Sequence, residues 1–233
     1  VTSGGKLNVI KEILRNVPSV ELVVVTDEDG ETDGTWRRVR LDGILKEESA
    51  EPPKDNCISQ DLAAILYTSG STGKPKGVML SHANLLAGSR IVSSYLGITG
   101  DERILSVLPF SFDYGLNQLL TATQHGATLV LLTFRFPDEI TKALLKENIT
   151  GLAGVPPLWT LISQPNSSIF RNTFPHLRYI TNSGGAMPLP VLAGLRKAFP
   201  TTKVFLMYGL TEAFRSTYLP PEELDRKSTS MGK

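Results

Sequence analysis

Apolar positions along this 233-residue chain fall into two kinds of pattern. Some recur every three or four residues, as on one face of a helix. Others form short unbroken runs, as in a strand buried on both sides. Leu7, Ile10, Leu14 and Val17 share a helical face, with Pro18 just past its end. Leu22-Val23-Val24-Val25 reads as a buried parallel strand. The span from Asp27 to Gln60 is polar and carries no predicted element, and Pro52-Pro53-Lys54-Asp55-Asn56 reads as a connector.

The pattern changes at Asp61. Ala63–Tyr67 predicts a strand, Thr68–Gly77 a Gly-rich loop and Val78–Leu80 a second extended run. Ser81 is placed to cap a helix from His82 to about Leu96, stopped at Gly97. Strand and helix then alternate: Ile104–Leu108, Leu116–Gln124, Thr128–Leu132, Pro137–Asn148, Leu177–Thr181, Pro188–Phe199 and Lys203–Met207. This alternation predicts an α/β fold with a mostly parallel sheet flanked by helices. Its expected organisation is a peripheral helix–strand segment over 1–60 and a core over 61–233. Ligands of such sheets bind where strand ends meet loops. Four unusual polar loops follow predicted strands, after Tyr67, Leu108, Thr181 and Met207, and are expected along one sheet edge.

Composition narrows the field. Charge is balanced, 24 Lys or Arg against 23 Asp or Glu, without the basic surplus of a nucleic-acid binder. It is uneven, however: residues 1–60 carry 8 basic and 12 acidic residues, leaving the remainder net basic. One cysteine, Cys57, excludes an internal disulfide or a thiolate metal cluster and fits a reducing cytoplasm, where the protein is expected. His82, His125 and His176 show no metal-ligand spacing. No apolar run reaches the roughly 18 residues of a spanning helix.

The loop after Tyr67 carries the clearest chemistry. Gly70, Gly73 and Gly77 let backbone N–H groups approach a ligand, Thr68, Ser69, Ser71 and Thr72 add hydroxyls, and Lys74 and Lys76 add charge. The combination suits a polyphosphate. It is no P-loop: Thr68 stands where the first glycine is required, and Lys74 is followed by Pro75 rather than a magnesium-binding hydroxyl. A phosphotransferase is thereby weakened. The chain has no Gly-x-Gly for a dinucleotide fingerprint and no Gly-x-Ser-x-Gly elbow.

The run Y-T-S-G-S-T-G-K-P-K-G-V over Tyr67–Val78 resembles the signature loop of the adenylate-forming superfamily of AMP-dependent synthetases and ligases. Ser81-His82-x-Asn84-Leu85, Ser183-Gly184-Gly185-Ala186 and Tyr208-Gly209-Leu210-Thr211-Glu212 resemble further motifs of that family. The resemblance runs from about Asp61 to Lys233 and more weakly before it. L-P-F-S-F-D-Y-G-L-N-Q, G-L-A-G-V-P-P-L-W and Y-G-L-T-E-A-F-R-S-T-Y-L-P-P-E-E look like acyl-CoA ligases associated with exosortase A systems.

The resemblance implies the central part of the N-terminal domain of an acyl-CoA synthetase-like fold. It implies ATP, Mg2+ and a carboxylic acid as reactants, with coenzyme A or a carrier protein as acceptor. Thr68, Ser69, Gly70, Ser71, Thr72, Gly73 and Lys76 would meet the phosphates. Tyr208 and Gly209 would lie against adenine, with Thr211 on the α-phosphate and Glu212 on magnesium. Gly184, Gly185 and Ala186 would form a thin wall beside the nucleotide. Phe112, Asp113 and Trp159 would border the acid. Phe112 cannot hydrogen-bond a carboxylate, so it could only shape the pocket. Asp113 fits either an ammonium ligand, as in amino-acid-activating relatives, or a structural carboxylate bonded to loop amides. Trp159 fits the acyl pocket and the core equally well.

The resemblance also implies parts outside this sequence, namely a ribose-binding Asp, a hinge and a C-terminal domain bearing a lysine. The chain is therefore expected to be a segment with little catalysis by itself. Three readings stay open: an acyl-CoA ligase, an amino-acid-activating domain and a non-catalytic nucleotide-binding module. The acid's identity and the oligomeric state are not legible.

Overall fold

The computed structural model describes residues 1–27, 36–47, 49, 51–52, 54–69 and 73–233. They form two compact units, Val1–Asn56 and Cys57–Lys233.

In the first unit, helix α1 (Gly4–Leu14) starts three residues before its predicted span, because Ser3 caps it: the Ser3 hydroxyl accepts the Lys6 N–H. Strand β1 (Leu22–Val25) pairs in parallel with β2 (Arg37–Arg40), which leads directly into α2 (Leu41–Glu47). Both later elements lie in the span predicted to be featureless. The strand escaped notice because its sequence, Arg-Arg-Val-Arg, lacks an apolar face; its backbone pairing with β1 holds it in place. Leu7, Val23, Val25 and Trp36 make a small core.

The second unit begins with an antiparallel pair, β3 (Leu62–Thr68) and β4 (Lys76–Ser81), which forms a sheet of its own. Helix α3 (His82–Leu96) follows at once. Ser81 Oγ accepts from Asn84 N at 3.2 Å, Asn84 Oδ1 accepts from Ser81 N at 3.0 Å, and Gly97 ends the helix at φ 62°. The predicted boundaries of this helix match.

Next come β5 (Arg103–Ser106), α4 (Asp113–His125), β6 (Thr128–Leu131), α5 (Pro137–Lys146), β7 (Gly151–Gly154), α6 (Pro156–Ile162), β8 (Tyr179–Asn182), α7 (Leu189–Ala198), β9 (Lys203–Leu210), β10 (Phe214–Leu219) and α8 (Leu224–Lys227). Six of the strands form one sheet in the order β10-β9-β8-β7-β5-β6, in which only β10 runs antiparallel. The fold is α/β with a mostly parallel sheet flanked by helices.

Successive strand residues point to opposite faces. Leu105, Leu152, Ile180 and Leu206 pack with Ile140, Trp159 and Leu195 of α5, α6 and α7. Ile104, Ala153, Tyr179, Phe205 and Met207 pack with Val92, Leu96 and Tyr114 of α3 and α4. Strand order reverses at β5, whose successors β6 and β7 lie on either side of it. A crevice is expected at the C-terminal ends of strands beside such a point.

Two expectations need correction. The Thr68–Gly77 loop is not on the edge of the main sheet; it joins the two strands of the separate hairpin, because β3 finds its partner in β4 rather than in a parallel neighbour. Tyr208, Gly209 and Leu210 are not loop residues either. They continue β9, paired antiparallel with β10, and only Thr211–Ala213 turn.

Candidate active site

A cleft of about 510 Å³ opens at the C-terminal ends of β8 and β9. One wall is the end of β8 and the segment after it, with Asn182, Gly184, Gly185 and Ala186, and the facing wall is the end of β9, with Tyr208, Gly209 and Leu210. Ser228–Met231 complete the lining. Residues at this end of the chain run beside β10, where Tyr218 and Lys233 exchange backbone hydrogen bonds at 3.1 Å. The structure thus brings together five predicted residues that lie far apart in sequence: Gly184, Gly185, Ala186, Tyr208 and Gly209.

Local chemistry explains both walls. Gly184 adopts φ 81°, a conformation glycine takes without penalty, and an added Cβ would lie 3.4 Å from Val155 and 3.8 Å from Phe112. The loops after β5, β7 and β8 therefore converge at this glycine. Asn182 is buried, and its Nδ2 donates to the Gly185 carbonyl at 2.9 Å, which shapes the wall. Its Oδ1 has no partner among the described residues, leaving a buried acceptor in the cleft lining. Such an acceptor suits an exocyclic amine. Tyr208 is 39% exposed and offers a ring face. Gly209 is required by the hairpin, since a Cβ there would fall on the Phe214 carbonyl oxygen.

Thr211 and Glu212 sit in the turn between β9 and β10, with Glu212 exposed. Among the described residues no three His, Cys, Asp or Glu side chains gather into a metal cluster. A single exposed carboxylate fits Mg2+ nonetheless, which keeps several waters and takes other oxygens from phosphates.

Of the loop after β3, Gly70, Ser71 and Thr72 lie outside the described residues. Thr68 ends β3 opposite Lys76 of β4; Ser69, Gly73, Lys74 and Lys76 are exposed. Leu66 and Leu80, from the inner face of this hairpin, bury against Phe214, two residues beyond Glu212. The β3–β4 hairpin thus packs on the residue that opens β10, just past the Thr211–Ala213 turn.

The three residues predicted to border the acid part company. Phe112 is half-buried beside Gly184. Trp159 is fully buried in the core, against Gly154, and does not line this cleft. The core reading holds for it, since its bulky ring fills the space a Gly154 side chain would take. Asp113 is 4% exposed and its carboxylate accepts from Arg215 at 2.5 Å. Its partner is thus a guanidinium, not the loop amides expected of a structural aspartate.

Arg215 and Asn182 are candidate site residues not expected from the sequence, and Ser183, expected only as part of the Ser183–Ala186 motif, gains Arg215 as a partner. The signal for Arg215 in the sequence is a lone cation within a strand-like run. Beneath them, the hydroxyls of Tyr114 and Thr181 hydrogen-bond one another. Burial pushes the Tyr114 phenol up and keeps it neutral, although the Thr181 bond and the Arg215 charge pull the other way.

A family model described as AMP-binding enzyme matches residues 2–233. The chain belongs to the AMP-binding enzyme family. It is 29% identical over 195 residues to the peroxisomal OPC-8:0-CoA ligase 1 of Arabidopsis thaliana, covering 82% of this chain and 36% of that protein. It is 35% identical over 179 residues to the L-proline--[L-prolyl-carrier protein] ligase of Streptomyces coelicolor, covering 71% and 32%. The structure superposes on the o-succinylbenzoate coenzyme A synthetase of Bacillus subtilis, solved with ATP and magnesium ion. The TM-score is 0.75 at 27% identity, over 96% of this chain and 47% of that one. The chain therefore spans about a third of the length of the two ligases. Its relatives include both acyl-CoA and amino-acid ligases. Among its described residues no helix is long and apolar enough to cross a membrane.

Proposed function

We propose that the protein containing this chain activates a carboxylic acid other than an amino acid with ATP, and then transfers the acyl group to the thiol of coenzyme A. In the first step a carboxylate oxygen attacks the α-phosphorus, the bond to the β-phosphate oxygen breaks, and pyrophosphate leaves. In the second step the thiol sulfur attacks the acyl carbon, AMP leaves with the bonding pair, and the thiol proton is released.

The choice of acid rests on the buried Asp113–Arg215 pair. A carboxylate free to face the pocket would hold a substrate ammonium. Here the carboxylate is already neutralised by a guanidinium, and drawing a second cation to it would place two positive charges in a site with little water. This disfavours the amino-acid reading despite the prolyl relative. Phe112 and Val155 add apolar surface beside Gly184.

In the cleft, Tyr208 would stack on adenine, Asn182 Oδ1 would accept from its amine, and the slim wall of Gly184–Ala186 would let the nucleotide approach backbone. Thr211 would donate to the α-phosphate. Thr68, Ser69, Ser71, Thr72 and Lys76 would neutralise the departing pyrophosphate, a task in which preplaced donors lower the barrier. Mg2+, held by Glu212, would supply further neutralisation of phosphate charge.

Acid-dependent exchange of labelled pyrophosphate into ATP tests the reading on the intact gene product. Fatty or aromatic acids are expected to support exchange and the common amino acids are not. Exchange with an amino acid alone overturns the choice of acid. Thioester formation with coenzyme A, compared with a carrier protein, tests the acceptor.

A further inference from the structure

Arg215 is the second residue of β10, two residues past the turn that carries Thr211 and Glu212, and is 6% exposed. Its guanidinium ties the start of α4 and the end of β8 to the β9–β10 hairpin that carries it. Nη2 donates to Asp113 Oδ2 at 2.5 Å, at the start of α4. Nη1 donates to Ser183 Oγ at 2.8 Å, one residue before the Gly184–Ala186 wall. The guanidinium carbon lies 4.5 Å from the centre of the Tyr114 ring, a cation–π contact.

These three segments carry Phe112, Gly184–Ala186 and Tyr208–Glu212, almost every proposed site residue outside the β3–β4 hairpin. The turn itself is poorly held by local preference. Phe214 adopts φ 47°, rare for a bulky side chain, and the β9–β10 register slips between Arg215 and Thr217. A backbone of this kind persists only where its surroundings over-determine it.

We propose that Arg215 is a positioning residue for adenylation: its fork, anchored on Asp113 and Ser183, fixes the Thr211–Glu212 turn against the nucleotide wall. This inference rests on the ATP-dependent activation proposed above. A planar fork with donors in fixed directions can hold two partners at once; a lysine keeps the charge but presents a single point. Arg215→Lys therefore separates geometry from charge balance.

The test uses the intact gene product and two readouts. In pyrophosphate exchange, Arg215→Lys is expected to lower kcat about 10- to 100-fold, the scale of a misplacement near 1 Å, with KM for ATP changed less than about threefold. In amide hydrogen exchange well below the melting temperature, Tyr208–Arg215 and Ser183–Ala186 are expected to lose protection together, while β5 and β7 keep theirs. Ser183→Ala, which removes a single bond, should show a weaker form of both effects and serves if Arg215→Lys does not fold. Wild-type protection in both segments, or a kcat that falls only in proportion to the folded fraction, overturns the proposal. Absence of pyrophosphate exchange by the wild type with every acid tried counts against the functional reading alone; amide exchange still decides whether the tether exists.

Discussion

The two halves of the candidate site are built in opposite ways. The cleft wall rises from the six-stranded sheet, packed on both faces and fastened by a buried ion pair. The Thr68–Gly77 loop, proposed to face phosphate, joins the strands of a two-stranded hairpin whose inner face buries Leu66 and Leu80, while Tyr67 and Met79 on its outer face are 72% and 68% exposed. Such a pair contributes little stability of its own. The difference teaches where preorganisation lies. On the function proposed above, the base and the reacting carboxylate would meet fixed groups, whereas the polyphosphate would meet exposed side chains such as Ser69, Lys74 and Lys76, whose order a ligand can supply.

Glycines give the hardest test of this contrast. Gly209→Ala in the rigid half forces a Cβ onto the Phe214 carbonyl, and backbone must move. The expected loss is about 4 kcal/mol or more, among the large effects of single substitutions. Gly73→Ala in the hairpin meets open space, and only φ 80° opposes it. Its expected cost is about 1–2 kcal/mol. Denaturant midpoints of the two variants measure the gap, and equal losses would erase the comparison.

Next in size is Asp113→Ala, which strands Arg215 as a buried charge. The expected loss is about 3–5 kcal/mol by denaturant unfolding. Asp113→Asn/Arg215→Gln together should recover much of it, because neither side chain then carries an uncompensated charge.

Alkaline pH probes the packed sheet more gently. Burial raises the phenol of Tyr114, and burial with the nearby Glu102 charge raises that of Tyr179. The folded state therefore holds these protons more tightly than the unfolded state does. Below the unfolded value, near pH 10, both states are protonated and stability is unaffected; above it the unfolded chain ionises first. Stability should then fall by about 1.4 kcal/mol per pH unit for each such tyrosine. Spectrophotometric titration should show phenolate from these two residues only as the fold melts.

Much of this architecture was legible, for identifiable reasons. Local signals read well: Ser81 and Asn84 sit three residues apart and fixed the start of α3. Short unbroken apolar runs alternating with helical segments predicted the parallel sheet. The β3–β4 pairing was less legible, since Ile65, Tyr67 and Met79 on its outer face are apolar although exposed, so no apolar–polar alternation marks the pair as a separate hairpin. Strand β2 was hidden by its arginines. The key tether was hidden by distance: Arg215 and Asp113 lie 102 positions apart, and only the fold turns a lone cation and an ambiguous carboxylate into one unit.

The smallest structural effect belongs to Lys76, and it sharpens the comparison most. Lys76 opens β4 opposite Thr68, exposed on the hairpin and remote from either large core. Lys76→Ala should leave stability within about 0.5 kcal/mol, as for surface positions generally. If its ammonium meets the departing pyrophosphate, acid-dependent pyrophosphate exchange should fall about 10- to 100-fold. Thioester formation from a supplied acyl-adenylate should change far less, because no pyrophosphate remains to be neutralised. Equal loss in both steps would remove Lys76 from the phosphate site. A large loss of stability would show instead that the hairpin is as tightly built as the sheet.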